Sequence, residues 1–301
     1  MDQLSELAKM IDHSLLHPTM TDAELKDGCA IAKKYKVASV CIKPYAVPDA
    51  VKWLKGSGVL VGTVVGFPHG NSSLTIKLAE TLQACKDGAK EIDMVVNIGK
   101  VLEEDWKYVS NEIKALAETT STFGAVLKVI FENDYLPEDK FKIKLCEICN
   151  EAKVGFVKTS TGYGFVKGKD GKYSYKGALL KDLKLMRTHA NPSVEVKAAG
   201  GIRTLDDLLK VKKIGVTRVG ATATVAMLEE AKNRFSTPKA KATKSTPKST
   251  SKPSASKSTP KRSTPKSAPK AGTSKSTTKA GNSESTRKPT ATENQKPEAD
   301  K

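Results

Sequence analysis

The stretch Gly155-Phe156-Val157-Lys158-Thr159-Ser160-Thr161-Gly162-Tyr163-Gly164 places a lysine inside a run of apolar and β-branched residues that ends in glycines. Such a run suits a buried parallel strand opening into a turn. A lysine there is costly unless it is neutralised or used. Strand side chains alternate between two faces, and the same reading applied elsewhere finds companions for it. In Ser193–Ala199, Val194 and Val196 take one face and leave Glu195 and Lys197 on the other. In Glu91–Asn97, the apolar Ile92, Met94 and Val96 put Asp93 on the opposite face. In Ala125–Glu132, Val126, Lys128, Ile130 and Glu132 share a face. Phe156, Lys158 and Ser160 do the same in the central stretch.

If these faces point into one interior, it collects Lys128, Lys158, Lys197 and Asp93. Such a cage supports amine catalysis. A lysine attacks a carbonyl only when neutral, and its free pKa is about 10.4. Burial and a second ammonium nearby can bring it toward ~7, roughly 4 kcal/mol of differential stabilisation. The imine so formed is an electron sink that lets a carbon–carbon bond break or form, and a carboxylate such as Asp93 can shuttle protons. The alternative on residue types alone is a buried Lys–Asp ion pair that braces the core.

The elements that must position these groups alternate regularly through residues 1–235. Strands are expected at Ile11–Leu16, Val37–Ile42, Val59–Gly66, Glu91–Asn97, Ala125–Glu132, Gly155–Thr161, Ser193–Ala199 and Thr217–Gly220. Each is followed by a helix or helical turn. Thr21-Asp22-Ala23-Glu24 forms a capping box, Pro137 sits in a first helical turn, and Thr204-Leu205-Asp206-Asp207 resembles a second capping box. Eight β–α units in this length predict a closed (β/α)₈ barrel. A doubly wound open sheet is the alternative, but the first strand lacks the glycine fingerprint such sheets carry. In a barrel the site lies at the C-terminal ends of the strands. The glycine turns Gly162-x-Gly164, Gly200-Gly201 and Gly220-Ala221-Thr222 fall on that same rim, where backbone N–H groups can hold a phosphate.

With those residues in view, the chain resembles the deoxyribose-phosphate aldolase family over nearly all of residues 1–232. The resemblance rests on Ile11–Pro18, Ser39–Ile42, Val65–Gly70, Glu91–Gly99, Leu127–Glu132, Phe156–Gly162 and Val196–Thr204, in that order. It implies a metal-free, cofactor-free class I aldolase that interconverts 2-deoxy-D-ribose 5-phosphate with glyceraldehyde 3-phosphate and acetaldehyde. It further implies Lys158 as the Schiff-base lysine, Lys197 as the lysine that depresses its pKa, and Asp93 as the proton-transfer group. Asp12, Cys41 and Lys128 become supporting pocket residues, and a homo-oligomer, often a dimer, is expected. Two departures accompany it. The turn after the last strand carries Thr222 and Ala223 where consecutive serines are common. The loop Phe165–Gly177 is long and lysine-rich (Lys167, Lys169, Lys172, Lys176) and reads as solvated, with attraction of phosphate as the alternative. An aldolase for another phosphosugar stays open as a second reading.

From Ser236 onward the composition changes to Lys, Ser, Thr, Pro and Ala, with Ser-Thr-Pro-Lys units at Ser236–Lys239, Ser245–Lys248, Ser258–Lys261 and Ser263–Lys266. These residues cannot bury a core, so 236–301 is expected to be a disordered tail. The tail accounts for +12 of the net charge of +18. Weak, salt-sensitive contact with a polyanion is expected of it, and an idle barrel acting through that contact is a third reading. Phosphorylation at Ser/Thr-Pro-Lys would oppose the attraction. The five cysteines (Cys29, Cys41, Cys85, Cys146 and Cys149) are odd in number and irregularly spaced, so no disulfide framework is expected. Cys146-x-x-Cys149 reads as two small residues one helical turn apart. No 18-residue apolar run and no signal-peptide pattern is found. A cytoplasmic location is expected, with a nuclear one left open by the basic tail.

Overall fold

The computed structural model describes residues 2–236, so the expectation of a disordered tail over 236–301 falls almost wholly outside the described residues. Eight parallel strands close into a barrel: β1 (Ile11–Leu15), β2 (Ser39–Ile42), β3 (Leu60–Val65), β4 (Glu91–Val95), β5 (Val126–Ile130), β6 (Phe156–Lys158), β7 (Glu195–Ala199) and β8 (Arg218–Ala221). Closure is made by β8 pairing back onto β1, with Ile11 beside Val219 and His13 beside Ala221. That pairing rules out the open sheet.

The strands are apolar toward the surrounding helices, where Ile92, Met94, Val129, Val157, Val196 and Val219 are fully buried. These residues and the inner faces of the helices form one continuous core. Two helices begin at the expected capping boxes, whereas Pro137 lies before the helix Asp139–Glu151, not in its first turn. Thr21 and Glu24 make a complete capping box for Asp22–Tyr35, and Thr204 and Asp207 make another for Leu205–Lys213. Asn97 caps a short helix, Ile98–Leu102, that the sequence reading did not anticipate. The Cys146/Cys149 pair lies buried in the helix Asp139–Glu151 with both thiols free. Burial pushes the Cys146 thiol up to about 12.

Seven of the eight strands are shorter than expected, and the ends of β5 and β6 matter to the site. β6 ends its ladder at Lys158, and β5 ends at Ile130 rather than at Glu132. Glu132 turns into the left-handed region with φ 56°. Its carboxylate then accepts the Thr161 N–H at 3.1 Å and the Thr161 hydroxyl. Backbone bonding between the two segments continues beyond the strand ends, from the Phe131 N–H to the Lys158 carbonyl and from the Asn133 N–H to the Thr159 carbonyl, each at 2.9 Å, and the Glu132 side chain adds to it.

Candidate active site

β4 through β7 supply the centre. Lys158 stands directly beside Lys197 in the β6–β7 register, and Asp93 directly beside Lys128 in the β4–β5 register. Lys128 pairs with Phe156, two residues before Lys158, so its ammonium group sits a layer deeper in the barrel. The alternation read from the sequence therefore delivers all four side chains to one interior.

Asp93 Oδ2 accepts hydrogen bonds from Lys158 Nζ and Lys197 Nζ, each at 2.7 Å. Its Oδ1 lies 3.5 Å from Lys128 Nζ and makes no hydrogen bond. Lys197 Nζ also contacts Asp12 Oδ2 at 2.5 Å. Lys128 Nζ bridges Asp12 Oδ2 at 2.7 Å and Glu91 Oε2 at 2.6 Å. Asp12 is further held by the Ser39 hydroxyl at 2.7 Å. Every one of these side chains is buried.

The environment separates the two central lysines. Burial pulls the Lys158 amine below its ordinary value, and the Lys197 ammonium adds to that, while Asp93 works against both. Burial acts the same way on Lys197, but Asp12 and Asp93 together overcome it and hold that group above the usual lysine value. Lys128 is likewise held up once its carboxylate partners outweigh burial. Burial favours the protonated form of Asp93, yet the three lysines around it keep its carboxyl below the ordinary range. Two lysines side by side thus differ in protonation tendency, one carrying a single carboxylate contact and the other two.

Above this cluster opens a cavity of about 190 Å³ lined by residues that include Lys158, Lys197, Cys41, Tyr163, Tyr175 and Arg203. Among the expected phosphate-contacting residues, Gly162, Gly200, Gly201, Gly220 and Thr222 line it. Gly164 does not. A Cβ there would come within 2.7 Å of the Glu132 carboxylate, so this glycine is needed for a close approach of side chain to backbone. Neither Asp12 nor Lys128 lines the cavity; Asp12 bonds to Lys197, which does, and Lys128 bonds to Asp12. Gly200 and Gly201 sit at φ 87° and 90°, a region that L side chains rarely adopt.

The loop Phe165–Gly177 is more than a solvated excursion. Its lysines Lys167, Lys169, Lys172 and Lys176 are exposed, but it carries a small hairpin, Val166–Lys167 with Tyr173–Ser174. Asp134 ties its end down by accepting from the Lys176 and Gly177 N–H groups at 2.7 and 2.9 Å. Tyr175 is thereby laid against Gly200, where any Cβ would collide with its hydroxyl. That hydroxyl is buried without a partner, and burial raises it to about 12. Tyr175, Arg203 and Ser14 are cavity residues the sequence reading passed over. Arg203 was within reach, since it follows the Gly200-Gly201 turn. Tyr175 was not, because a loop's fold-back leaves no periodic signal.

Among the described residues, no three His, Cys, Asp or Glu side chains are arranged to hold a metal ion. No helix among them is long and apolar enough to cross a membrane.

The family model described as "DeoC/LacD family aldolase" matches residues 6–227. A deoxyribose-phosphate aldolase of Rhodopirellula baltica is 49% identical over 241 residues, covering 80% of this chain and 95% of the relative. One from Clostridium perfringens is 44% identical over 224 residues, covering 74% and 95%. Among solved structures, a deoxyribose phosphate aldolase from Aeropyrum pernix, described as a unique tetramer, superposes with a TM-score of 0.68 at 28% identity. It covers 77% of this chain and 93% of its own.

Proposed function

The chain belongs to the DeoC/LacD family of aldolases and is a lyase acting on deoxyribose phosphate; we propose that it works through an imine on Lys158. The observation that carries this reading is the pair of adjacent lysines on one Asp93 oxygen, of which only Lys158 is pulled toward the neutral form. In the open-chain aldehyde of 2-deoxy-D-ribose 5-phosphate, Lys158 Nζ attacks C1. The carbinolamine oxygen takes up a proton and leaves as water, forming the iminium. Loss of the proton on the C3 hydroxyl then breaks the C2–C3 bond. The electron pair moves into the iminium, giving an enamine and releasing glyceraldehyde 3-phosphate. Protonation at C2 and hydrolysis of the imine release acetaldehyde and restore the amine.

Asp93 Oδ2, 2.7 Å from both amines, is placed to pass protons between Lys158 and the donor Lys197. The phosphate end is assigned to Gly162, Gly200, Gly201, Gly220 and Thr222, which line the cavity. Arg203 adds a positive charge there. Cys41 lines the wall at β2; burial raises its thiol to about 11, so it serves as a small apolar contact. The five free cysteines fit a reducing compartment such as the cytoplasm.

Homodimerisation belongs to the same proposal. Tyr45 and the helix Leu74–Lys86 border one cavity; Tyr45 is exposed there, and Ile76 and Leu82 are exposed elsewhere on that helix. Sedimentation velocity decides it. The polyanion contact of the tail rests on charge alone, and removing residues 236–301 is expected to leave turnover intact.

The imine is tested by incubating the protein with 2-deoxyribose 5-phosphate, adding borohydride and mapping the modified peptide by mass. A reduced two-carbon or sugar adduct on Lys158, abolished in Lys158→Leu, is expected. A folded, active protein that gives no adduct on Lys158 would overturn the imine.

A further inference from the structure

Beneath the reacting groups, the barrel holds charges that neither touch the cavity nor belong to the mechanism above. Arg218, at the start of β8, donates from one guanidinium nitrogen to Asp12 Oδ1 at 2.6 Å and to Glu91 Oε1 at 2.8 Å. Its guanidinium carbon lies 5.1 Å from the centre of the Phe156 ring. Glu91 in turn accepts from Lys128 at 2.6 Å. Neither Arg218 nor Glu91 lines the cavity.

The connected interior contains three carboxylates, Asp12, Glu91 and Asp93, and four basic groups, Lys128, Lys158, Lys197 and Arg218. An enclosed, poorly solvated set of charges is costly when it does not balance. With all groups ionised it carries one surplus positive charge, and balance returns when one basic group gives up its proton. Arginine does not deprotonate in proteins. Lys128 has three carboxylates within 3.5 Å, and Lys197 has two. Lys158 has only Asp93. The other titratable groups toward it are the Cys41 thiol from β2 and Glu132 beyond β5, whose carboxyl bonds to Thr161 and not to an ammonium group. Burial pushes both of these toward their protonated, uncharged forms.

We propose that Arg218, clamped by Asp12 and Glu91, is a positioning residue whose fixed charge leaves Lys158 as the one uncharged amine of the barrel. Lys197 alone does not do this, because without Arg218 three lysines would face three carboxylates and each could keep its proton. The assignment rests on the reading of Lys158 as the imine-forming residue. Arg218 acts at a distance, through Asp12 and Lys197, and never meets the substrate.

The test follows the pH dependence of borohydride-trapped acetaldehyde on Lys158, in the full chain, for wild type, Arg218→Gln, Arg218→Lys, Glu91→Gln and the Glu91→Gln/Arg218→Gln double variant. Thermal melts confirm folding of each. Removing one positive charge while keeping the carboxylates should move the trapping midpoint of Arg218→Gln to higher pH, by about one pH unit. The rate at the alkaline plateau should stay within about threefold of wild type, and the rate at neutral pH should drop about tenfold. Arg218→Lys should keep the wild-type midpoint. Glu91→Gln should shift it to lower pH, and the double variant, which restores the charge balance, should bring it back. A structural role alone would lower the plateau without moving the midpoint.

A folded Arg218→Gln protein with an unmoved midpoint would mean that Asp12 or Glu91 had taken up a proton instead, and would overturn the proposal. If Arg218→Gln does not fold, Glu91→Gln decides: an acid shift supports the assignment and an unchanged midpoint refutes it. Absence of any Lys158 adduct in the wild-type protein would remove the imine reading, and this inference with it.

Discussion

Replacing Asp93 by Asn should separate imine formation from turnover. Asp93 Oδ2 lies 2.7 Å from both Lys158 Nζ and Lys197 Nζ. At an effective dielectric of 20, the Lys197–Asp93 charge pair has a gross Coulomb energy of about 6 kcal/mol. The asparagine carbonyl can still accept from one ammonium group but carries no charge, so desolvation is no longer offset. Loss of one partner from a buried ion cluster costs about 3–5 kcal/mol of stability, which should be read first from denaturant unfolding. The chemistry changes in two opposite ways. Asp93 raises the Lys158 amine, so its removal frees that amine at lower pH and trapping with acetaldehyde and borohydride should persist. The path for protons between Lys158 and Lys197 is lost, so turnover of 2-deoxyribose 5-phosphate should fall by about 10²–10⁴. The assays are trapping and steady-state cleavage on the same folded preparation. Turnover within threefold of wild type would refute the role of Asp93 in proton transfer. Trapping lost in parallel with turnover would refute the claim that it acts after the amine is set free.

Three further outcomes are expected. Gly200→Ala should raise KM for the phosphosugar at least tenfold, because the new Cβ meets the Tyr175 hydroxyl and φ 87° disfavours alanine; an unchanged KM would refute the packing of Tyr175 on the rim. Glu112→Ala should destabilise the fold by about 3–5 kcal/mol, measured as a drop in denaturant midpoint, since it strands the fully buried Lys77 ammonium that Glu112 holds at 2.7 Å. In that case Lys77→Met/Glu112→Leu should recover most of the loss, and a cost below about 1 kcal/mol for Glu112→Ala would contradict the assignment. His13 is buried against Thr224 Oγ1 at 2.8 Å, and burial lowers its imidazole to about 4 from an ordinary value near 6.5. A depressed histidine contributes stability above its unfolded pKa and loses it as pH falls through the folded one. Stability should therefore decline by up to about 3 kcal/mol between pH 6.5 and 4, and His13→Gln should flatten that part of the profile.

Much of the site was legible because it obeys a two-residue period. Alternation within β4, β5, β6 and β7 put Asp93, Lys128, Lys158 and Lys197 on one face, and all four share the interior. The glycines at the ends of β7 and β8 were equally visible, and they do line the cavity, although Gly220 lies within β8 and not in a turn after it. Gly164 was misplaced because a glycine signals only that the backbone needs room; the Glu132 carboxylate that takes up the room lies 32 residues away in the chain. Glu132 itself was read as the end of a strand because nothing local announces that its backbone will turn left-handed and its side chain will bond Thr161. The short helix Ile98–Leu102 and the hairpin within 165–177 were missed since each spans too few residues to show a period.

Taken alone, the amino-acid order determined the kind of fold, the inward face of each central strand, and hence the charged groups that would meet. Those are local properties, set by side-chain alternation and by the burial of apolar residues. Tertiary structure alone decided which groups pair. Arg218 reaches Asp12 across 206 residues because β8 closes onto β1. Lys158 keeps one carboxylate where Lys197 keeps two, because at the same depth β7 stands one strand nearer than β6 to β1, which carries Asp12. Tyr175 becomes part of the site only when Asp134 anchors its loop. The physical reason is the same each time: electrostatic preference depends on distances of a few ångströms between chain segments far apart in sequence, and only closure of the barrel sets those distances.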